Sequence, residues 1–215
     1  MSLLQEKVEG PLAKEVFLNG DDQSRAVVAE RCARWLAHFH ATAPRSGKVF
    51  DLNNYLVSIE RWSRRIARRI DPLAHKVSAL CTWLEREVAV LRRVNVCAGQ
   101  GSYNHRQIIL AESRPVTSNW DGYCLADPSH DVARFIISLR QLSLGPVGPI
   151  PALDAATEIF QRTYFRLNMP EVIPNLTFYK AALCVQLAKY EIHQKFSHSR
   201  ERVEALLNEG LRIIA

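Results

Sequence analysis

Apolar residues recur at helical spacing along most of the chain, and this period constrains the fold more than any other feature. Val28, Cys32, Trp35, Leu36 and Phe39 fall at i, i+4, i+7, i+8 and i+11 in a segment opened by Asp21, Asp22 and Ser24 and closed before Pro44. Leu80, Trp83, Leu84, Val88 and Leu91 repeat the pattern after a break at Asp71-Pro72. Val132, Phe135, Ile136 and Leu139 predict a third helix, ended by a Gly/Pro turn from Gly145 to Pro149. Leu153, Ile159 and Phe160 lead a fourth, Phe178, Leu183, Leu187 and Tyr190 mark a fifth, and Val203, Leu206, Leu207, Leu211 and Ile214 a sixth.

Three places read as strands. Leu3 to Val8 is short, and Gln107 to Ala111 and Pro115 to Asn119 flank the polar turn Glu112-Ser113-Arg114 as a hairpin would. The expected class is mainly α (α+β), one domain over 1–215, with the Gly145 to Pro151 stretch a loop between helices. No internal repeat or heptad run is present.

The 215 residues suffice for one substantial core, and 47% hydrophobic with 23% charged residues excludes long disordered tracts. No apolar run reaches the roughly 18 to 20 residues that span a bilayer. Glu6, Lys7 and Glu9 interrupt the amino terminus, so no secretory signal is expected and a cytoplasmic location is. Cys32, Cys81, Cys97, Cys124 and Cys184 are odd in number and never in a C-x-x-C pair, which favours reduced thiols. Cys97, His105 and Cys124 match no zinc spacing.

The net charge of +6 is concentrated at Arg61, Arg64, Arg65, Arg68 and Arg69, with Lys48, Lys76, Arg92 and Arg93 on the flanks. Trp62, Ile66, Ile70 and Leu73 fall on the complementary face, so the simplest reading is the solvated side of an amphipathic helix. A phosphate-rich partner is the alternative.

Function is carried by the segment from Gln100 to Ala133. It reads Gln100-Gly101-Ser102-Tyr103-Asn104-His105-Arg106-Gln107, then Asn119-Trp120-Asp121, then Ala126-Asp127-Pro128-Ser129-His130-Asp131-Val132-Ala133. Phosphoryl transfer needs an acid to accept the hydroxyl proton, and an amide and a carboxylate to hold magnesium. In kinase-like folds these groups stand at the two ends of a hairpin.

On these residues the chain resembles the aminoglycoside phosphotransferase and choline kinase family of small-molecule kinases, with protein-kinase-like fold. That family carries H-G-D-x-x-x-x-N, then a metal-binding Asp in a run such as I-D-W-E, then G-D-P-x-x-D-L-A opening a helix. Gly101 matches the family glycine, Asp121 the second acidic residue, and Asp127, Pro128, Asp131 and Ala133 the helix-opening motif. The departures fall on the chemistry: Gln100 replaces His, Ser102 the catalytic Asp, Gln107 the metal-binding Asn and Asn119 the metal-binding Asp. Leu3 to Gly10 looks like the hinge strand, which would place backbone nucleotide contacts at Glu6 and Val8, and Ala33 to His40 like the helix after it. The resemblance implies a carboxy-terminal lobe with no counterpart of the amino-terminal ATP lobe.

A serine hydroxyl is too weakly basic to replace an aspartate, a loss of roughly 10²- to 10⁴-fold, and Asn119 offers magnesium no charge. Asp127 before Pro128, and Asp131 in the first turn, are also good helix-start residues without any ligand. The leading expectation is a pseudokinase-like binding or scaffolding module with no cofactor. One alternative is an active ATP- and magnesium-dependent phosphotransferase of a small-molecule hydroxyl, rewired around Asp121 and Asp127, with the amino-terminal lobe supplied by another chain or by a further segment. Another is a basic helical module binding nucleic acid or anionic membrane, partners that the leading reading does not expect. An exposed hinge and cleft would favour self-association or a protein partner through that end.

Overall fold

The computed structural model describes residues 8–144, 151–167, 173–193 and 199–215. Eight helices lie within them: α1 (Ala13–Asn19), α2 (Asp22–Thr42), α3 (Leu52–Arg69), α4 (Ala74–Glu87), α5 (Ser129–Ser143), α6 (Pro151–Leu167), α7 (Ile173–Glu191) and α8 (Ser199–Ile214). Four three-residue strands, β1 (Cys97–Gly99), β2 (Ile108–Leu110), β3 (Pro115–Thr117) and β4 (Cys124–Ala126), sit between α4 and α5. The class is the mainly helical one that the periodicity predicts.

Helix boundaries follow local chemistry. Asp21 caps α2 by accepting from the Ser24 amide at 2.7 Å, and α2 stops two residues before Pro44. Asp51 caps α3 in the same way through Asn54, at 2.9 Å. The Asp71–Leu73 turn of 3-10 helix makes the break between α3 and α4. The fourth helix ends at Glu87, and a further 3-10 turn, Val88–Val90, replaces the continuation to Leu91 that the apolar spacing predicts.

α7 is apolar nearly all round, with Phe178, Tyr179, Ala181, Ala182, Leu183, Cys184, Val185 and Ala188 buried, as befits a helix packed on several sides. It touches α3, α4, α5 and α8, while α2 packs against α6. Tyr190, which the spacing places on the buried stripe, is instead exposed, with Lys189 Nζ 4.2 Å from its ring centre. On α3, Ile66 is buried, Trp62 and Ile70 pack on the core and the arginines face solvent, the division read from the sequence.

The strands form two nested antiparallel ladders. The inner one pairs Ile108 with Thr117 and Leu110 with Pro115, and is the hairpin expected around Glu112-Ser113-Arg114. The outer one pairs Cys97 with Ala126 and Gly99 with Cys124, and the alternation of the sequence does not reveal it. Nesting lays residues 100–107 beside residues 118–123, so the two ends of the motif segment meet. Val8 lies outside any strand; the rest of the expected Leu3 to Val8 strand, and the Gly145 to Pro149 turn, lie outside the described residues.

Candidate functional site

The loop after β1 is held by a carboxylate thirty residues away. Asp131, 1% exposed, accepts from the Gln100 amide at 2.6 Å and the Gly101 amide at 2.9 Å. Its Oδ2 also lies 3.3 Å from His40 Nε2, and His40 Nδ1 lies 2.7 Å from the Tyr164 hydroxyl. Burial pushes the Asp131 carboxyl up, but the His40 hydrogen bond and charge, the His130 charge and the Gln100 amide outweigh it and hold it below the ordinary carboxylate value. Asp131 therefore joins α2, α5, α6 and the loop, a larger part than the helix-start role legible in the sequence.

Asp127 is also internal. One oxygen accepts from the Ser129 amide at 2.8 Å, the helix-start bond expected of it, and the other from Asn175 Nδ2 at 2.7 Å. Asn175 also exchanges two bonds with the Arg92 backbone, at 3.0 and 2.8 Å. The buried acids of the motif thus spend their oxygens on the scaffold. Pro128 lies between them in the helical region, with φ −57°.

Gly101 has φ +77°, and a Cβ there would land on the Gly122 carbonyl, so only glycine fits. Gln100 is fully buried and acts as a staple. Its Nε2 donates to the Ser118 and Asn119 carbonyls at 3.1 and 2.7 Å, and its Oε1 accepts from the Ser102 amide at 2.9 Å.

The hairpin ends converge on Ser102. Its Oγ lies 3.1 Å from Gln107 Oε1, 3.3 Å from Gln100 Oε1 and 3.3 Å from the Asn119 carbonyl. A hydroxyl carries one proton, so it donates to one of these oxygens at a time. Gln100, Ser102, Gln107 and Asn119 therefore do gather at one place, as the motif spacing predicts. Asn119 contributes its backbone carbonyl there, in the left-handed conformation with φ 59°, and its side chain is exposed. Asp121 is exposed in the turn before Gly122.

Magnesium binds protein chiefly through carboxylates, and the side chains gathered at Ser102 are amides and a hydroxyl. The donor set does not fit that ion, and among the described residues no group of three or more His, Cys, Asp or Glu could hold a metal. Cys97 and Cys124 sit on paired strands, while His105 turns away to Ser138 Oγ at 3.0 Å. Of the two residues proposed for backbone nucleotide contacts, Val8 is half-buried and Glu6 lies outside the described residues.

An aromatic stack lies against the loop. Trp35 is parallel to Phe39 and to Tyr103, with centres 5.2 and 5.3 Å apart, and Trp120 leans on Trp35 and Phe39. Tyr103 is buried and donates to the Cys32 carbonyl at 2.8 Å, whereas Trp120 is 43% exposed. His40, Tyr103 and Asn175 are site-building residues that the motif did not single out. The Ala33 to His40 likeness pointed at the first of them.

No family model matches the sequence, and no curated protein does. Solved structures do. A choline/ethanolamine kinase family protein from Mesorhizobium loti superposes with a TM-score of 0.67 at 12% identity, over 94% of this chain and 66% of its own. A glucosamine kinase matches with a TM-score of 0.60 at 17% identity, over 94% of this chain and 57% of its own. An aminoglycoside-3'-phosphotransferase of type VIII gives 0.56 at 18% identity, over 81% and 65%. The fold is that of the protein-kinase-like small-molecule kinases, in their helical part, and the chain spans two thirds or less of the length of these three structures.

Proposed function

We propose that this chain is a kinase-like helical lobe that no longer transfers phosphate and serves as a binding or scaffolding module in the cytoplasm. One observation carries the reading: the hairpin ends meet as in a phosphotransferase site, yet the groups that meet are Ser102, Gln107, Gln100 and a backbone carbonyl. None has the basicity to accept a proton from an acceptor hydroxyl near neutral pH. Asp127 and Asp131 cannot replace the missing acids, since both are buried with both oxygens engaged. Asp121 is the remaining acid of the motif, and it stands in solvent.

Three further features support the reading. Trp120, with the half-buried Trp35, Phe39 and Tyr123, offers an apolar aromatic face beside the loop, suited to self-association or a protein partner. The five free thiols suit a reducing compartment, and no described helix is long and apolar enough to cross a membrane.

The test is magnesium-dependent phosphate transfer from ATP by the purified chain, with choline, ethanolamine, glucosamine and an aminoglycoside as acceptors. No turnover above a heat-denatured control is expected. Turnover that Asp121→Asn abolishes would establish the rewired phosphotransferase instead.

A further inference from the structure

Arg61, Arg64, Arg65, Arg68 and Arg69 lie within an arc of about 140° on α3, at the roughly 100° per residue of an α-helix. All five are exposed, and they line one side of a basin of about 1200 Å³. Arg200, at the start of α8, lines it from the opposite element. Arg64 pairs with Glu60, whereas no described carboxylate forms an ion pair with Arg61, Arg65, Arg68 or Arg69. Asp71 is the one acid among the described lining residues.

We infer that this basin is a binding site for a compact ligand bearing several linked phosphates. Arginine suits that ligand, because its planar guanidinium meets phosphate oxygens in pairs and stays charged at any physiological pH. Two like-charge pairs at i, i+4 run through Arg61, Arg65 and Arg69, and a third joins Arg64 to Arg68. Such spacing opposes the helix unless an anion is present. Ile70, Pro72 and Ile192 add apolar lining, and the α3 arginines face Arg200 across the basin, so cations converge from two elements, which favours a compact ligand held between them over nucleic acid. Desolvation, then the charges of Arg65, Lys189 and Arg69, hold the His193 imidazole below its ordinary value, as expected beside this arginine cluster.

The basin is separate from the Ser102 loop. Tyr55, near the other end of α3, packs against His130, and the thirteen residues from it to Arg68 cover about 20 Å of helix.

Calorimetric titration of the chain with inorganic tripolyphosphate in magnesium-free buffer tests the inference. One saturable site per chain is expected, weakened about tenfold or more in Arg65→Gln/Arg69→Gln, where two charge-assisted contacts go. Arg61→Gln/Arg68→Gln gives a second, independent loss, and Arg34→Gln/Arg212→Gln on other faces leaves binding unchanged. Thermal melts establish that each variant is folded. Absent saturable binding, equal loss in the control variant, or equal affinity for orthophosphate overturns the inference. So does tighter binding of a single-stranded oligonucleotide through the same arginines, which would make the ligand a nucleic acid.

Discussion

Asp131 and Gly101 set the loop's shape at the level of single side chains. Asp131→Ala removes two amide bonds to a carboxylate and a contact with His40, and charge-assisted bonds of this kind contribute about 1.5 to 3 kcal/mol each. Chemical denaturation should show a loss of roughly 3 kcal/mol or more. Gly101→Ala should destabilise by about 1 to 3 kcal/mol, since it combines positive φ with a collision against the Gly122 backbone. Two buried histidines govern the acid side. Burial pushes His105 down to about 3 and His130 to about 4, so both stay neutral in the folded state where the unfolded chain, near 6.5, takes up protons. Their folded values are depressed, so full stability is present above about pH 6.5 and is lost as pH falls toward the folded values. At pH 5 each contributes a loss of about 2 kcal/mol relative to pH 7. Denaturant midpoints at pH 7 and 5 check this, and His130→Leu should roughly halve the difference between them. The orphaned Nε2 of His105 and Nδ1 of His130 fit the same picture of rings buried without charge.

Among the elements, α7 carries the most constraint, because it touches four other helices and its Asn175 ties Asp127 to the Arg92 backbone. Asn175→Ala leaves Asp127 Oδ2 and the Arg92 groups without that partner inside the protein. A cost of about 1 to 3 kcal/mol is expected in thermal or denaturant unfolding. Helices were legible because a long buried stripe repeats many times, as in Val28 to Phe39. α1 and the β1–β4 ladder were not, because seven residues and three residues hold too few repeats of any period. α1 did carry a local signal, Glu15, whose side chain accepts from the Leu12 amide at 3.2 Å. Tyr190 departs from the stripe that its spacing predicts because a helix buried on several sides has no unique stripe.

Across the molecule, four residues that the motif spacing singled out, Gln100, Ser102, Gln107 and Asn119, are brought together by nested hairpins, one of which the sequence displayed. The spacing could not show that Gln100 would become a staple, or that Asp131 would reach back about thirty residues to the loop and 91 to His40. Those bonds depend on how β1, α2 and α5 pack, which no local window encodes. At this scale the aromatic face of Trp120, Trp35, Phe39 and Tyr123 predicts association in solution. Light scattering should show a species larger than a monomer that Trp120→Ser reduces, and a monomer at every concentration would show that this face does not self-associate.

The proposed loss of phosphoryl transfer rests on a loop whose gathered side chains, Ser102, Gln100 and Gln107, include no carboxylate. Manganese titration followed by electron paramagnetic resonance, with ATP present, addresses it most directly, because manganese reports on a magnesium site. No saturable manganese binding beyond that of ATP alone is expected on adding the chain. Saturable binding that disappears in Asp121→Asn would contradict it.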